Sequence, residues 1–202
     1  VAGLGAARSS DGAQFERVDI AFTGDVPLYI VDPHVRRLPD GTWRMTYLGI
    51  PAGEVCADAL EPSLPPPPHR AYTAVSDDLE TWTHEGVAYT TDNHATDPAV
   101  WCEDSLTCFL IMGGGSSSAD GGVTYTPVEM TLPAPRPATP DVLGSAGGWR
   151  MYYLEGTRMV SAVSSDGLDW SREGDRNVGG ADPTVMTVED EVWMYYKARA
   201  PD

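Results

Sequence analysis

The chain has 202 residues, enough for one domain with a substantial core, and its 30 acidic against 13 basic residues leave a net charge of −17. That balance excludes a nucleic-acid partner, which needs a basic face, and no apolar run approaches the roughly 20 residues of a membrane helix. With 17 prolines, 21 glycines and no sustained helical period among the apolar residues, the chain is predicted to be all-β, built from short strands.

In chain order, residues 1–22 read as two strands closing a repeat, joined through Ser9-Ser10-Asp11-Gly12-Ala13-Gln14-Phe15. Val31-Asp32-Pro33-His34-Val35 opens the first full copy. Its strand over 33–38 meets a second over 43–48 through Pro39-Asp40-Gly41, residue types that favour a tight turn. Residues 50–70 interrupt this copy with Pro65-Pro66-Pro67-Pro68, read either as a loop inserted over a binding face or as a disordered excursion. The copy ends at Ser76-Asp77-Asp78-Leu79-Glu80-Thr81-Trp82.

Thr96-Asp97-Pro98-Ala99-Val100 opens the second copy, whose next strand is Thr107-Cys108-Phe109-Leu110-Ile111. Gly113 to Ser118 reads as a mobile loop that breaks it, 123–132 as a third strand, and no Ser-Asp-Gly-Trp signature is expected to follow. The third copy begins at the degenerate Ala138-Thr139-Pro140-Asp141-Val142 and ends at Ser164-Ser165-Asp166-Gly167-Leu168-Asp169-Trp170. Ala181-Asp182-Pro183-Thr184-Val185 opens a fourth, followed by Val192-Trp193-Met194-Tyr195-Tyr196. Trp43, Trp149 and Trp193 are taken as equivalent core positions, and Trp82, Trp170 and Phe15 as pins of the outer hairpins. The chain thus opens with the end of a repeat and stops halfway through another. This phase predicts a β-propeller with four repeats visible (four or five blades), spanning 1–202 as a single domain, its last blade closed by the N-terminal strands.

Cys102 and Cys108 flank a predicted hairpin turn. Facing positions on an antiparallel pair come within about 4.5–5.5 Å, so the two are either bridged or buried as thiols, with Cys56 left over. A bridge favours an exported, secreted protein. A monomer is expected.

The repeats resemble those of the glycoside hydrolases built on a five-bladed propeller, the group of arabinanases, β-xylosidases, invertases and levansucrases. The resemblance is carried by Asp-Pro opening an inner strand, by Pro39-Asp40-Gly41-Thr42-Trp43, and by Ser164-Ser165-Asp166-Gly167-Leu168-Asp169-Trp170. It implies that Asp32 is the base or nucleophile, that Asp97 tunes the acid, and that a glutamate acid falls near residues 138–140. No glutamate stands there. Cleavage needs two carboxyl groups, so Asp141, Glu129 and Glu155 are the candidate replacements.

Each Asp-Pro aspartate also has a plain reading as a turn cap. His34, on the same strand face as Asp32, His94 in the approach to Asp97, Trp101 and Asp182 are candidate ligand-binding residues. His69 and His84 are expected to be solvated. Three carboxylates around a channel repel one another unless protonated or bridged, so a calcium ion or an ordered water cluster is a further expectation. The activity implied is that of a carbohydrate-active propeller holding a small saccharide. The alternatives are a carbohydrate-binding propeller without catalysis and an isomerase or cyclase reusing the pocket.

Overall fold

The computed structural model describes residues 4–9, 14–27, 29–50, 68–145, 147–188 and 191–197. These residues contain strands and no helix. The chain gathers into two compact units, Val1–Ala95 and Thr96–Asp202.

In the first unit, β1 (Ala6–Arg8) and β2 (Glu16–Val18) form a short hairpin of their own. β3 (Ala21–Thr23) runs parallel to the outer edge of an antiparallel sheet made of β4 (Tyr29–Arg37), β5 (Trp43–Ile50), β6 (His69–Ser76) and β7 (Thr81–Thr91). The β4–β5 turn forms as its residues predict. Asp40 accepts the Thr42 N–H at 3.0 Å and the Thr42 hydroxyl at 2.7 Å, and Gly41 supplies φ +95°. Met45, Tyr47, Tyr72, Ala74 and Trp82 form the core with Ile30, and Leu4, Ile20 and Phe22 pack against it.

The second unit holds two four-stranded sheets and a hairpin. The first sheet comprises β8 (Ala99–Cys102), β9 (Cys108–Ile111), β10 (Gly115–Ser118) and β11 (Thr126–Pro127). The second comprises β12 (Ala138–Ser145), β13 (Gly148–Glu155), β14 (Arg158–Ser164) and β15 (Ser171–Gly179). β16 (Ala181–Val188) pairs with β17 (Glu191–Lys197). β12 lies beside both β8 and β16. The core joins Phe109 and Ile111 to Met151, Tyr153, Val160, Ala162 and Trp170.

Several expectations are corrected here. The Gly113–Ser118 tract is not a loop: residues 115–118 are β10, and Ser116 and Ser118 are buried, their hydroxyls satisfied by Leu110 and Asp120. The second copy does carry the closing signature, as Ser118-Ala119-Asp120 with Tyr125 in the tryptophan's place. The Ser118 hydroxyl donates to Asp120, which accepts the N–H groups of Val123 and Thr124. The same corner forms at Ser76–Asp78 and Ser164–Asp166. Trp82 and Trp170 then close it by donating their indole N–H to Leu79 and Gly167. Phe15, the third expected pin, is 64% exposed.

The second-strand tryptophans are not all equivalent. Val35, Val142 and Val185 face Met45, Met151 and Met194, so register places Val192 at the position of Trp43 and Trp149, and Trp193 at the position of Arg44 and Arg150.

Cys102 and Cys108 are bridged across directly opposed positions of β8 and β9. Cys56 and residues 51–67 of the expected insertion lie outside the described residues.

Candidate functional site

The openings of the repeats share one unusual backbone state. Asp32, Asp97 and Asp182 have φ of 51°, 52° and 52°, and Thr139 has 46°. Each immediately precedes a proline, whose ring disfavours the right-handed α region for the residue before it. At Asp32, Thr139 and Asp182 the residue also sits in a β-bulge, where the ladder skips from Val31 to His34, from Ala138 to Asp141 and from Ala181 to Thr184. A bulge re-aims a side chain and commonly lies beside a site. The left-handed state is tolerable for aspartate, whose short polar side chain bonds locally, but is an outlier for β-branched threonine. Thr139 keeps this geometry, so the backbone device belongs to the repeat and does not depend on a carboxylate.

Asp32 and His34 lie on β4 in the first unit, both half-buried. Asp97, half-buried, immediately precedes β8 in the second unit. Asp182 is exposed, and its backbone N–H donates to the Thr139 hydroxyl at 3.3 Å.

Asp141, a candidate acid, is buried and acts as a cross-strand tie. Its Oδ2 accepts the Val185 N–H at 2.8 Å and its Oδ1 the Val142 N–H at 2.9 Å. Glu155 is paired with Arg172 at 2.8 Å, and Glu129 is exposed.

Trp101 is not a sugar platform. It is 3% exposed, stacked on Phe109 and set edge-on to Trp170. Gly167 lies over its indole nitrogen, where an added Cβ would approach to 3.0 Å.

The histidines also differ from expectation. His69 is buried, its Nδ1 bonded to the Ala95 backbone, and the exposed His94 sets its ring 5.1 Å away. His84 is half-buried, and its Nδ1 is hydrogen-bonded to the Tyr47 hydroxyl at 2.6 Å. Burial pushes His84 below the usual histidine range against the opposing pull of Asp25 and Glu85. Burial pushes the Tyr47 hydroxyl well above its ordinary range, which keeps it protonated. Among the described residues no three His, Cys, Asp or Glu side chains are placed to hold a metal ion, so the calcium expectation finds no ligand set there.

A repeated ion pair escaped the sequence reading. Arg44 forks onto Glu85 at 3.0 and 2.8 Å, and Arg150 forks onto Glu173 at 2.9 and 3.1 Å. Its signal was present as Trp-Arg-Met in the second strand and a glutamate three residues beyond the corner tryptophan.

No protein-family model matches the chain, and a search of curated proteins finds no match. Solved structures do match. A GH43 protein from Bacillus licheniformis is similar at 13% identity and TM-score 0.66, over 94% of this chain and 42% of that one. An exo-β-1,3-galactanase from Phanerochaete chrysosporium is similar at 13% identity and TM-score 0.62, over 85% and 43%. A family 117 glycoside hydrolase from Zobellia galactanivorans is similar at 15% identity and TM-score 0.62, over 85% and 64%. The chain therefore spans about half the length of the galactanase and GH43 chains that it matches. At this level of identity the likeness establishes the fold: the chain is all-β, with the β-propeller fold of these glycoside hydrolases.

Proposed function

We propose that this chain is a carbohydrate-active propeller module that holds a small saccharide at Asp32, the base of glycoside cleavage. The observation that carries the reading is the strained, proline-locked opening of the repeats, which holds an aspartate at φ 51° on β4 and another at φ 52° ahead of β8. Strain of this kind collects at functional sites, and a fixed carboxylate suits both hydrogen bonding to sugar hydroxyls and base catalysis. His34, two residues beyond Asp32, is the neighbouring hydroxyl partner. Export is part of the reading, and the Cys102–Cys108 bridge supports it.

One observation favours a second reading, saccharide binding without cleavage. Thr139 holds the third opening, Asp141 accepts two backbone N–H groups and Glu155 pairs with Arg172, which weighs against any of them as the acid.

Calorimetric titration with galacto-, xylo- and fructo-oligosaccharides, followed by an assay for released reducing ends, separates the two. Binding with release is expected, and both are lost in Asp32→Asn while the melting temperature stays within a few degrees, because asparagine tolerates the left-handed state. Binding without release selects the second reading. Undiminished binding in Asp32→Asn, or no binding to any saccharide of the panel, overturns the assignment.

A further inference from the structure

The outer strands of the first and third repeats are built alike and part at one place that matters. Trp82-Thr83-His84-Glu85-Gly86-Val87-Ala88 matches Trp170-Ser171-Arg172-Glu173-Gly174-Asp175-Arg176. In the first sheet Thr73 faces Gly86 and Ala74 faces His84, so Glu85 is the extra residue of a bulge. In the third, Ser161 faces Gly174 and Ala162 faces Arg172, so Glu173 is the extra residue there. Thr73 and Ser161 also hold the same place against the second strand, opposite Thr46 and Tyr152. A bulge re-aims its side chain, and both glutamates receive a forked arginine from that strand.

The sheets differ in what else the glutamate and the hydroxyl receive. In the third, Arg176 donates its Nε–H to the Ser161 hydroxyl at 2.7 Å and its Nη2–H to Glu173 at 3.0 Å, and Ser161 donates to Glu173 at 2.6 Å. In the first, Ala88 stands in the place of Arg176, two residues past the bulge glycine. Among the described residues Glu85 hydrogen-bonds to Arg44 alone, and the Thr73 hydroxyl, on a residue 1% exposed, has no partner. The second repeat removes the hydroxyl altogether. Gly115 faces Ile111 as Thr73 faces Thr46, and Met130 packs so closely on Gly115 that no Cβ would fit. One repeat thus fills this place with methionine and another with arginine, while the first keeps a polar pair that lacks donors. A buried hydroxyl without a partner is costly and calls for one.

The first sheet leaves a way in. β3 pairs with β7 only at Thr81–Thr83, and Val87 beyond it is 48% exposed. Arg36 faces Arg44 from β4, on the far side of β5 from Thr73. The Thr73 side of Glu85 is therefore the side that Arg176 takes in the third sheet, where one glutamate accepts two arginines.

We propose that the Thr73–Glu85 pair binds a guanidinium group carried by a ligand. Its N–H groups donate to the Thr73 hydroxyl and to a Glu85 oxygen, as Arg176 donates to Ser161 and Glu173. A free alkylguanidine and an arginine side chain of a peptide both carry this group.

N-ethylguanidinium, the arginine side chain beyond Cβ, is the probe for calorimetric titration and thermal melting of the whole chain. One molecule should bind per chain and raise the melting temperature. Thr73→Val should weaken binding about tenfold, the loss of one hydrogen bond to a charged donor, and Thr73→Ser, which keeps the hydroxyl, should retain it. Ala88→Arg should melt higher without the probe and take up none. Arg176→Ala gives the third sheet the arrangement of the first and should bind a second molecule. No binding to the native chain overturns the proposal. Binding that neither Thr73→Val nor Ala88→Arg reduces also overturns it, since that is ordinary attraction of a cation to an acidic chain. N-ethylurea has the same shape without the charge, and its binding as tightly as N-ethylguanidinium overturns the guanidinium assignment in favour of any neutral donor, water included. Tighter binding of a blocked arginine peptide than of N-ethylguanidinium assigns the group to a peptide, and the reverse to a free guanidine.

Discussion

The sheet of β4–β7 and the sheet of β12–β15 are the same construction carrying different chemistry. Both have the serine–aspartate corner, the buried corner tryptophan, the methionine–tyrosine core strand and the forked arginine–glutamate pair. At three positions they part. Asp32 opens the first and Thr139 the other. The Arg44–Glu85 pair is nearly buried, with side-chain exposures of 8% and 19%, whereas Arg150 and Glu173 are exposed by 37% and 26%. His84 meets the Tyr47 hydroxyl, and at the matching place Arg172 lies against Tyr153. The backbone pattern is thus indifferent to the chemistry placed on it, and the first sheet concentrates the groups that can change charge near neutral pH.

The comparison breaks most sharply at the ion pairs. Arg44→Met should cost about 2 kcal/mol in denaturant unfolding, because the 8% exposed Arg44 is the buried end of the pair and its loss leaves the partly exposed Glu85 carboxylate without its cation. Arg150→Met should cost about 1 kcal/mol or less. Glu173 there keeps Arg176 at 3.0 Å and the Ser161 hydroxyl at 2.6 Å. Equal losses would mean that burial does not separate the two pairs.

A smaller effect of opposite sign is expected at the openings. Thr139→Asn should stabilise the chain by about 1 kcal/mol, since asparagine adopts the left-handed state at less cost than a β-branched residue. Its side-chain oxygen can still accept the Asp182 N–H that Thr139 accepts now. A destabilised variant would show that the threonine hydroxyl outweighs the strain.

The smallest effect is a pH dependence confined to the first sheet. The folded state holds His84 below the unfolded value of 6.5, so it disfavours the protonated form. The unfolded chain then binds the proton more readily as pH falls through that value. The resulting stabilisation is present above about pH 6.5 and is lost as pH falls below it. Melting curves from pH 7.5 to 5 should fall for the native chain and flatten in His84→Gln. An unchanged slope would place the titration elsewhere.

Much of this was legible from residue types alone. Asp-Pro openings, the Pro-Asp-Gly turn and the serine–aspartate corners at Ser76 and Ser164 are local chemistry, and each forms as read because its partners stand within a few residues. The corner at Ser118–Tyr125 was missed because an added glycine lengthens it and tyrosine replaces tryptophan. Trp193 falls one position out of line with Trp43 and Trp149 because register is set by the valine–methionine pairs and not by the tryptophans. Trp101, His69 and His84 were misjudged for a different reason: burial depends on what packs above a residue, and no local signal reports it. The left-handed backbone at Thr139 was hidden behind the lost aspartate, though the following proline was its trace.

The serine–aspartate corners also bear on how the chain finds its fold. Each closes through bonds spanning two to four residues, as Ser118 to Gly122 or Asp166 to Asp169. Contacts this short carry little loop-closure entropy and form early, whereas ladders joining distant segments set the slow step in β-rich proteins. The corners therefore act as preformed brackets that fix where one strand ends and the next begins. A substitution such as Asp166→Ala should slow refolding more than it speeds unfolding, the signature of a contact already made at the transition state.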